Sequence, residues 1–137
     1  MSVVRSQRST SGMEFVNTAR NLAKATMVFC ANHLPKKYTF YLGQELCQNA
    51  MAVHRCVVRA NEIYPKGPNE VWERRRLFLE AYGSLGVLDS LLSMIPDTVP
   101  VKASSLEEIS GMIISEKKLV RGMLERDEKR FKNLANQ

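Results

Sequence analysis

Residues 69–95 read NEVWERRRLFLEAYGSLGVLDSLLSMI. Apolar side chains recur here at helical spacing, with Val71, Phe78, Tyr82, Leu85, Leu88, Leu92 and Ile95 tracing one stripe. The opposite side is also apolar or small: Leu79, Gly83, Gly86, Val87, Ser90, Leu91 and Met94. After Arg76 only Glu80 and Asp89 carry charge. A helix that is apolar nearly all round has to be buried on both sides. If one side faces the core of its own domain, the other needs a second protein surface. Gly83 and Gly86 each cost about 1 kcal/mol against alanine in a helix interior. Small residues suit a place where another backbone comes close. The stretch therefore predicts a long helix of an all-α domain with an oligomer interface on its back.

Working outward, prolines and glycines divide the chain into three further helical segments, and no β pattern is visible. The first runs from about Met13 to His33, with Ser9, Thr10 and Ser11 as N-caps and Pro35 as the stop. Its stripe is Phe15, Ala19, Leu22, Thr26, Phe29 and His33, widened by Val16, Ala23, Met27 and Cys30. The second runs from about Thr39 to Ile63 on Leu42, Leu46, Ala50, Val53, Val57, Ala60 and Tyr64, with Glu45, Gln48, Arg55, Arg59 and Glu62 opposite. Tyr64 to Pro68 make a compact turn, and Asn69 fits a cap of the third helix, which ends at Ile95 before Pro96. The fourth helix starts at Ser104 or Ser105, where Ser105 and Glu108 fit a capping box. Its contacts are Leu106, Ile109, Ile113, Val120, Met123 and Leu124, and beyond Met123 it reads as a solvated extension. Short connections between long helices predict an antiparallel up-down four-helix bundle over residues 13–134, preceded by a disordered basic tail at 1–12.

Composition narrows the function. The chain of 137 residues suits one domain, and its 45% hydrophobic and 25% charged content is that of a folded globular protein. No uninterrupted apolar run approaches the roughly 18 residues of a membrane span, and no secretory leader is evident. Three cysteines, Cys30, Cys47 and Cys56, cannot all pair within one chain, so a reduced cytoplasm is the expected setting. The net charge is +6, of which Arg5 and Arg8 of the tail supply two, and this favours acidic partners such as nucleic acid.

Few residues are equipped for catalysis. A di-iron bundle needs Glu-x-x-His pairs, and neither His33 nor His54 follows a glutamate by three. Cys30 and His33 share a helical face, but structural zinc takes four ligands, so small core cysteines are the expected reading. Asp89 is expected to pair with a basic residue or lie at a helix seam. No phosphate loop, nucleophile elbow or dinucleotide fingerprint occurs. The sequence thus predicts no catalytic residue, no metal and no cofactor. The remaining signal is basic. Lys36 and Lys37 sit at the first turn, Arg55 and Arg59 share one exposed face, and Arg74, Arg75 and Arg76 wrap the start of the third helix beside Trp72. Arginine forks suit phosphates, although a solvated charged face explains such residues equally well. No aromatic platform other than Trp72 accompanies them in this reading.

One stretch carries a family resemblance. Leu34-Pro35-Lys36-Lys37-Tyr38-Thr39-Phe40-Tyr41-Leu42-Gly43 resembles the first turn of the accessory variability proteins of diversity-generating retroelements, which are related to the intervening-sequence proteins of some ribosomal RNA genes. Arg59-Ala60-Asn61 is similar to the alanine-asparagine that closes the family's second helix, and Arg75 through Ile95 matches in length and leucine spacing. The resemblance covers residues 13–126. The fourth helix departs: many members have a glycine-rich, tryptophan-containing end where this chain has Arg121-Gly122-Met123-Leu124-Glu125. The resemblance implies a four-helix homopentamer with a basic surface, which binds the element's reverse transcriptase and its template RNA or DNA. A second reading stays open, a homo-oligomeric assembly bundle with no nucleic-acid role.

Overall fold

The computed structural model describes residues 10–137, with side chains from Met13 onward, so residues 1–9 of the expected tail at 1–12 and the Ser9 cap lie outside the described residues, while 10–12 are helical. Every regular element among these residues is helical. We label the α-helices α1 (Thr10–Asn32), α2 (Gln44–Glu62), α3 (Pro68–Thr98), α4 (Ala103–Arg130) and α5 (Lys132–Ala135). A 3-10 turn, Lys36–Tyr38, and a π-turn, Thr39–Gly43, lead into α2. The first helix thus begins at Thr10, ahead of the expected Met13, and the last element ends beyond residue 134.

Each long helix packs on two others. α1 lies against α2 and α4, and α3 lies against the same two. The apolar stripes meet in one core. Phe15 of α1 and Phe78 of α3 stand edge to face with centroids 5.6 Å apart, and Leu22, Leu46, Val53, Leu85, Leu88, Ile95 and Ile113 are fully buried around them. Full burial of each such side chain is worth about 2 kcal/mol before the entropy of ordering it.

Local chemistry explains the boundaries. Pro35 forces its neighbour Leu34 out of the helical region, and Leu34 drops into the core at 6% exposure. Gly43 is the close approach: a Cβ there would stand 3.2 Å from Leu34 Cδ2. Gly67 is the N-cap of α3 and Pro68 its first residue, where a missing N–H costs nothing. The loop before it is closed by the Lys66 N–H donating to Glu70 Oε1 at 2.7 Å. The cap of α3 therefore lies ahead of the expected Asn69.

Four expectations fail here. α3 does not end at Ile95 but runs through Pro96 to Thr98. A proline keeps a helical φ and forfeits one hydrogen bond; the buried Ile95 and Val99, with the Val99 N–H donating to the Ile95 carbonyl at 2.8 Å, hold the extra turn. The capping box at Ser105 is not formed, because α4 starts earlier, at Ala103, with Lys102 as N-cap and no side-chain cap bond. The distal part of α4 is not a solvated extension: Asp127 and Phe131 are buried. His33, Met27 and Tyr64 also leave their expected stripes and are exposed.

Candidate interaction surfaces

The arginine triplet at the start of α3 is split three ways, because consecutive helical residues point about 100° apart. Arg74 turns inward and is 5% exposed. Its Nε donates to Asp127 Oδ2 at 2.6 Å and its Nη2 to Oδ1 at 3.3 Å. Its Nη1 donates to the carbonyls of Ala60 and Ile63 at 2.9 and 3.0 Å, at the end of α2, where the Ala60 carbonyl also accepts the Ile63 N–H at 3.1 Å. The guanidinium also lies over the rings of Phe78 and Phe131. Arg74 is thus a clamp between α2, α3 and α4, and its expected place on a phosphate-binding surface is corrected: its guanidinium is engaged inside the protein. Arg76 is exposed but sits between Glu73, at 2.6 Å, and Glu80. Its hydrogen bond and charge hold the Glu73 carboxyl below the usual range. Arg75 is half-buried and lines an open cleft of about 700 Å³ with Trp72, Lys129, Lys132 and Phe131.

Arg55 and Arg59 lie exposed on the outer face of α2. Between them Cys56 is buried. Burial, then the Glu80 carboxylate at 3.6 Å, push its thiol up against the opposing pull of the two arginines. The basic residues expected at Arg55, Arg59 and Arg74 to Arg76 are therefore interleaved with Glu73 and Glu80.

The first turn holds a second basic group. Lys36 and Lys37 are exposed, with Lys37 Nζ 5.3 Å from the centroid of the Tyr38 ring. The Tyr38 hydroxyl donates to the Thr98 carbonyl at 3.2 Å and ties the turn to the end of α3. Phe40 and Tyr41, on the π-turn, are 79% and 83% exposed, the highest values of any large apolar side chain among the described residues. Sequence reasoning predicts no aromatic platform here. The signal that could have found it was two adjacent aromatics in a stretch, residues 33–44, that contains no acid.

The back of α3 lies open in the single chain. Leu79, Val87 and Met94 are 48%, 44% and 48% exposed, with Gly83, Gly86 and Ser90 lying between them and Leu91 half-buried. α3 is long and apolar enough to cross a membrane by length and composition, and a third of its most apolar window is buried against the rest of the protein. Space is open at both glycines, where an added Cβ would meet nothing within 4 Å. Asp89 meets Lys117 of α4 at 3.9 Å, the basic pairing expected of it.

Two internal groups are chemically unusual. Glu116 on α4 is fully buried, and neither carboxylate oxygen has a hydrogen-bond partner among the described residues. Burial raises it to about 9, and the Glu14 carboxylate adds in the same direction. Cys30 and Cys47 hold their sulfurs 3.6 Å apart, and burial followed by Cys47 pushes the Cys30 thiol up to about 12. Among the described residues no three histidine, cysteine or acidic side chains converge as metal ligands. No protein-family model matches the chain, and no curated protein matches it.

Proposed function

We propose that this chain is a non-enzymatic accessory protein of a diversity-generating retroelement: an antiparallel up-down four-helix bundle that assembles into a homo-oligomer, a pentamer by the resemblance of its first turn. In this reading it acts in the cytoplasm and binds the element's reverse transcriptase and its template RNA or DNA through a basic surface. The observation that carries the proposal is the outer face of α3. Leu79, Val87 and Met94 lie open to solvent in a helix that carries few charges after Arg76. A second copy of the chain would cover that face, and a ring would repeat Arg55, Arg59, Lys36 and Lys37 around its circumference. Weak phosphate contacts then add by avidity. With Arg74 engaged inside the protein and Arg76 paired with Glu73 and Glu80, Arg55, Arg59, Lys36, Lys37 and the half-buried Arg75 are the contact residues of this reading.

The assembly-only alternative has an observation of its own, the carboxylates that occupy Arg74 and Arg76. Light scattering at low micromolar protein, with titration of a structured RNA at two salt concentrations, separates the readings. An oligomer whose RNA affinity falls steeply with salt supports the accessory role. An oligomer without RNA affinity leaves assembly alone, and a clean 15.6 kDa monomer removes both.

A further inference from the structure

We infer that Phe40 and Tyr41 form a stacking platform for the bases of a single-stranded nucleic acid, with Lys36 and Lys37 as its phosphate contacts. The inference rests on the nucleic-acid reading above and specifies the form of nucleic acid bound. A π-turn widens the backbone by one residue relative to an α-turn, and such turns recur at functional sites. Here the widened turn, Thr39–Gly43, sends Leu42 and Gly43 toward the core and leaves the two rings between them and Tyr38 outside. Neither ring makes an aromatic or cation–π contact of its own among the described residues, while Lys37 lies over Tyr38. The turn is nonetheless held in place, by the Tyr38 hydroxyl on Thr98 and by Gly43 packed on Leu34. Large rigid rings on a fixed turn lose little freedom on binding.

Charge selects the occupant. Residues 33–45 contain Lys36 and Lys37 against one acid, Glu45, so the segment carries net positive charge and favours an anion. Bases stack on aromatic faces irrespective of sequence while basic side chains follow the backbone, which is how single strands are bound without base readout. A duplex keeps its bases stacked on each other and offers these rings nothing. A lipid surface would ask for a broad apolar face, and the neighbours here, Lys36, Lys37, Thr39 and Gln44, are polar and exposed.

The test uses the full chain and two fluorescently labelled strands of equal length, oligouridylate and an abasic sugar-phosphate, read by anisotropy. The parent is expected to bind the base-bearing strand about tenfold more tightly than the abasic one. Phe40→Ala/Tyr41→Ala is expected to lose that preference, to keep its affinity for the abasic strand and its salt dependence, and to retain its helical circular dichroism. Phe40→Trp/Tyr41→Trp should keep the preference. The platform is overturned if the alanine variant still prefers the base-bearing strand, or if the parent binds both strands equally. A parent that binds neither strand sinks the nucleic-acid reading along with the platform. Loss of binding to phosphatidylserine vesicles in the alanine variant, with strand preference intact, would assign the rings to a membrane surface instead.

Discussion

Removing Asp127 strands the Arg74 guanidinium in the protein interior, whereas removing Arg74 leaves Asp127 its second partner, Arg130 at 2.7 Å. The arginine holds two carbonyls of the α2 terminus as well as the carboxylate, so its loss also uncaps a helix. Arg74→Ala or Asp127→Ala should therefore lower stability by about 3–5 kcal/mol, measured as a shift of the urea midpoint. A variant with parental stability would show the pair to be dispensable. Glu116 acts in the opposite sense. Its carboxyl titrates near 9 in the fold against 4.5 for a free glutamate, so at neutral pH it is protonated in the native protein and ionised in the unfolded chain. Proton binding then favours the fold. Its contribution is complete below pH 4.5 and falls by about 1.4 kcal/mol per pH unit toward pH 9. Glu116→Gln should be more stable than the parent by about 3 kcal/mol at pH 7, with the gap closing near pH 4. Thermal melts of both proteins from pH 4 to 8 would show a constant gap if Glu116 does not titrate this way. Both residues are poorly legible in the sequence, for different reasons. Asp127 lies 53 residues from Arg74, beyond any local pattern. Glu116 sits in the polar run Ser115-Glu116-Lys117-Lys118, but its spacing from Ile113 and Val120 places it in the core stripe.

At the scale of an element, α3 is the most legible part of the chain. Its inward stripe and its open back follow from the period of its apolar residues, whereas its cap at Gly67 and the turn past Pro96 escape that pattern. Periodicity reports which side chains are apolar, whereas the fate of a proline depends on whether neighbours such as Ile95 and Val99 are anchored. The same limit applies to the arginine triplet, where sequence adjacency suggests one patch and helical geometry deals the three side chains to three environments. The outer face of α3 yields a direct prediction. Val87→Glu places a charge where only a partner surface would object, since Val87 is 44% exposed in the single chain. The variant should keep its circular dichroism and scatter light as a monomer. If it assembles like the parent, the interface lies elsewhere.

For the molecule as a whole, net charge and its placement make separate predictions. Arg55→Ala/Arg59→Ala should weaken RNA binding and flatten its salt dependence by roughly 0.7–0.9 in log–log slope for each phosphate that is no longer neutralised. Arg76→Ala should leave both unchanged, because Glu73 and Glu80 already occupy that guanidinium. A weakening in Arg76→Ala equal to that of the Arg55/Arg59 pair would mean that RNA displaces the two carboxylates. The all-helical class is legible from composition and punctuation, whereas the sorting of basic residues into clamps, ion pairs and free donors requires the packed structure. The clamp also bears on synthesis. During translation α2 and the start of α3 leave the ribosome while residue 127 is still to be added. Arg74 then lacks its carboxylate, and the ring of Phe131 cannot yet close over it. The lock between the second and third helices is therefore delivered by one of the last turns of α4.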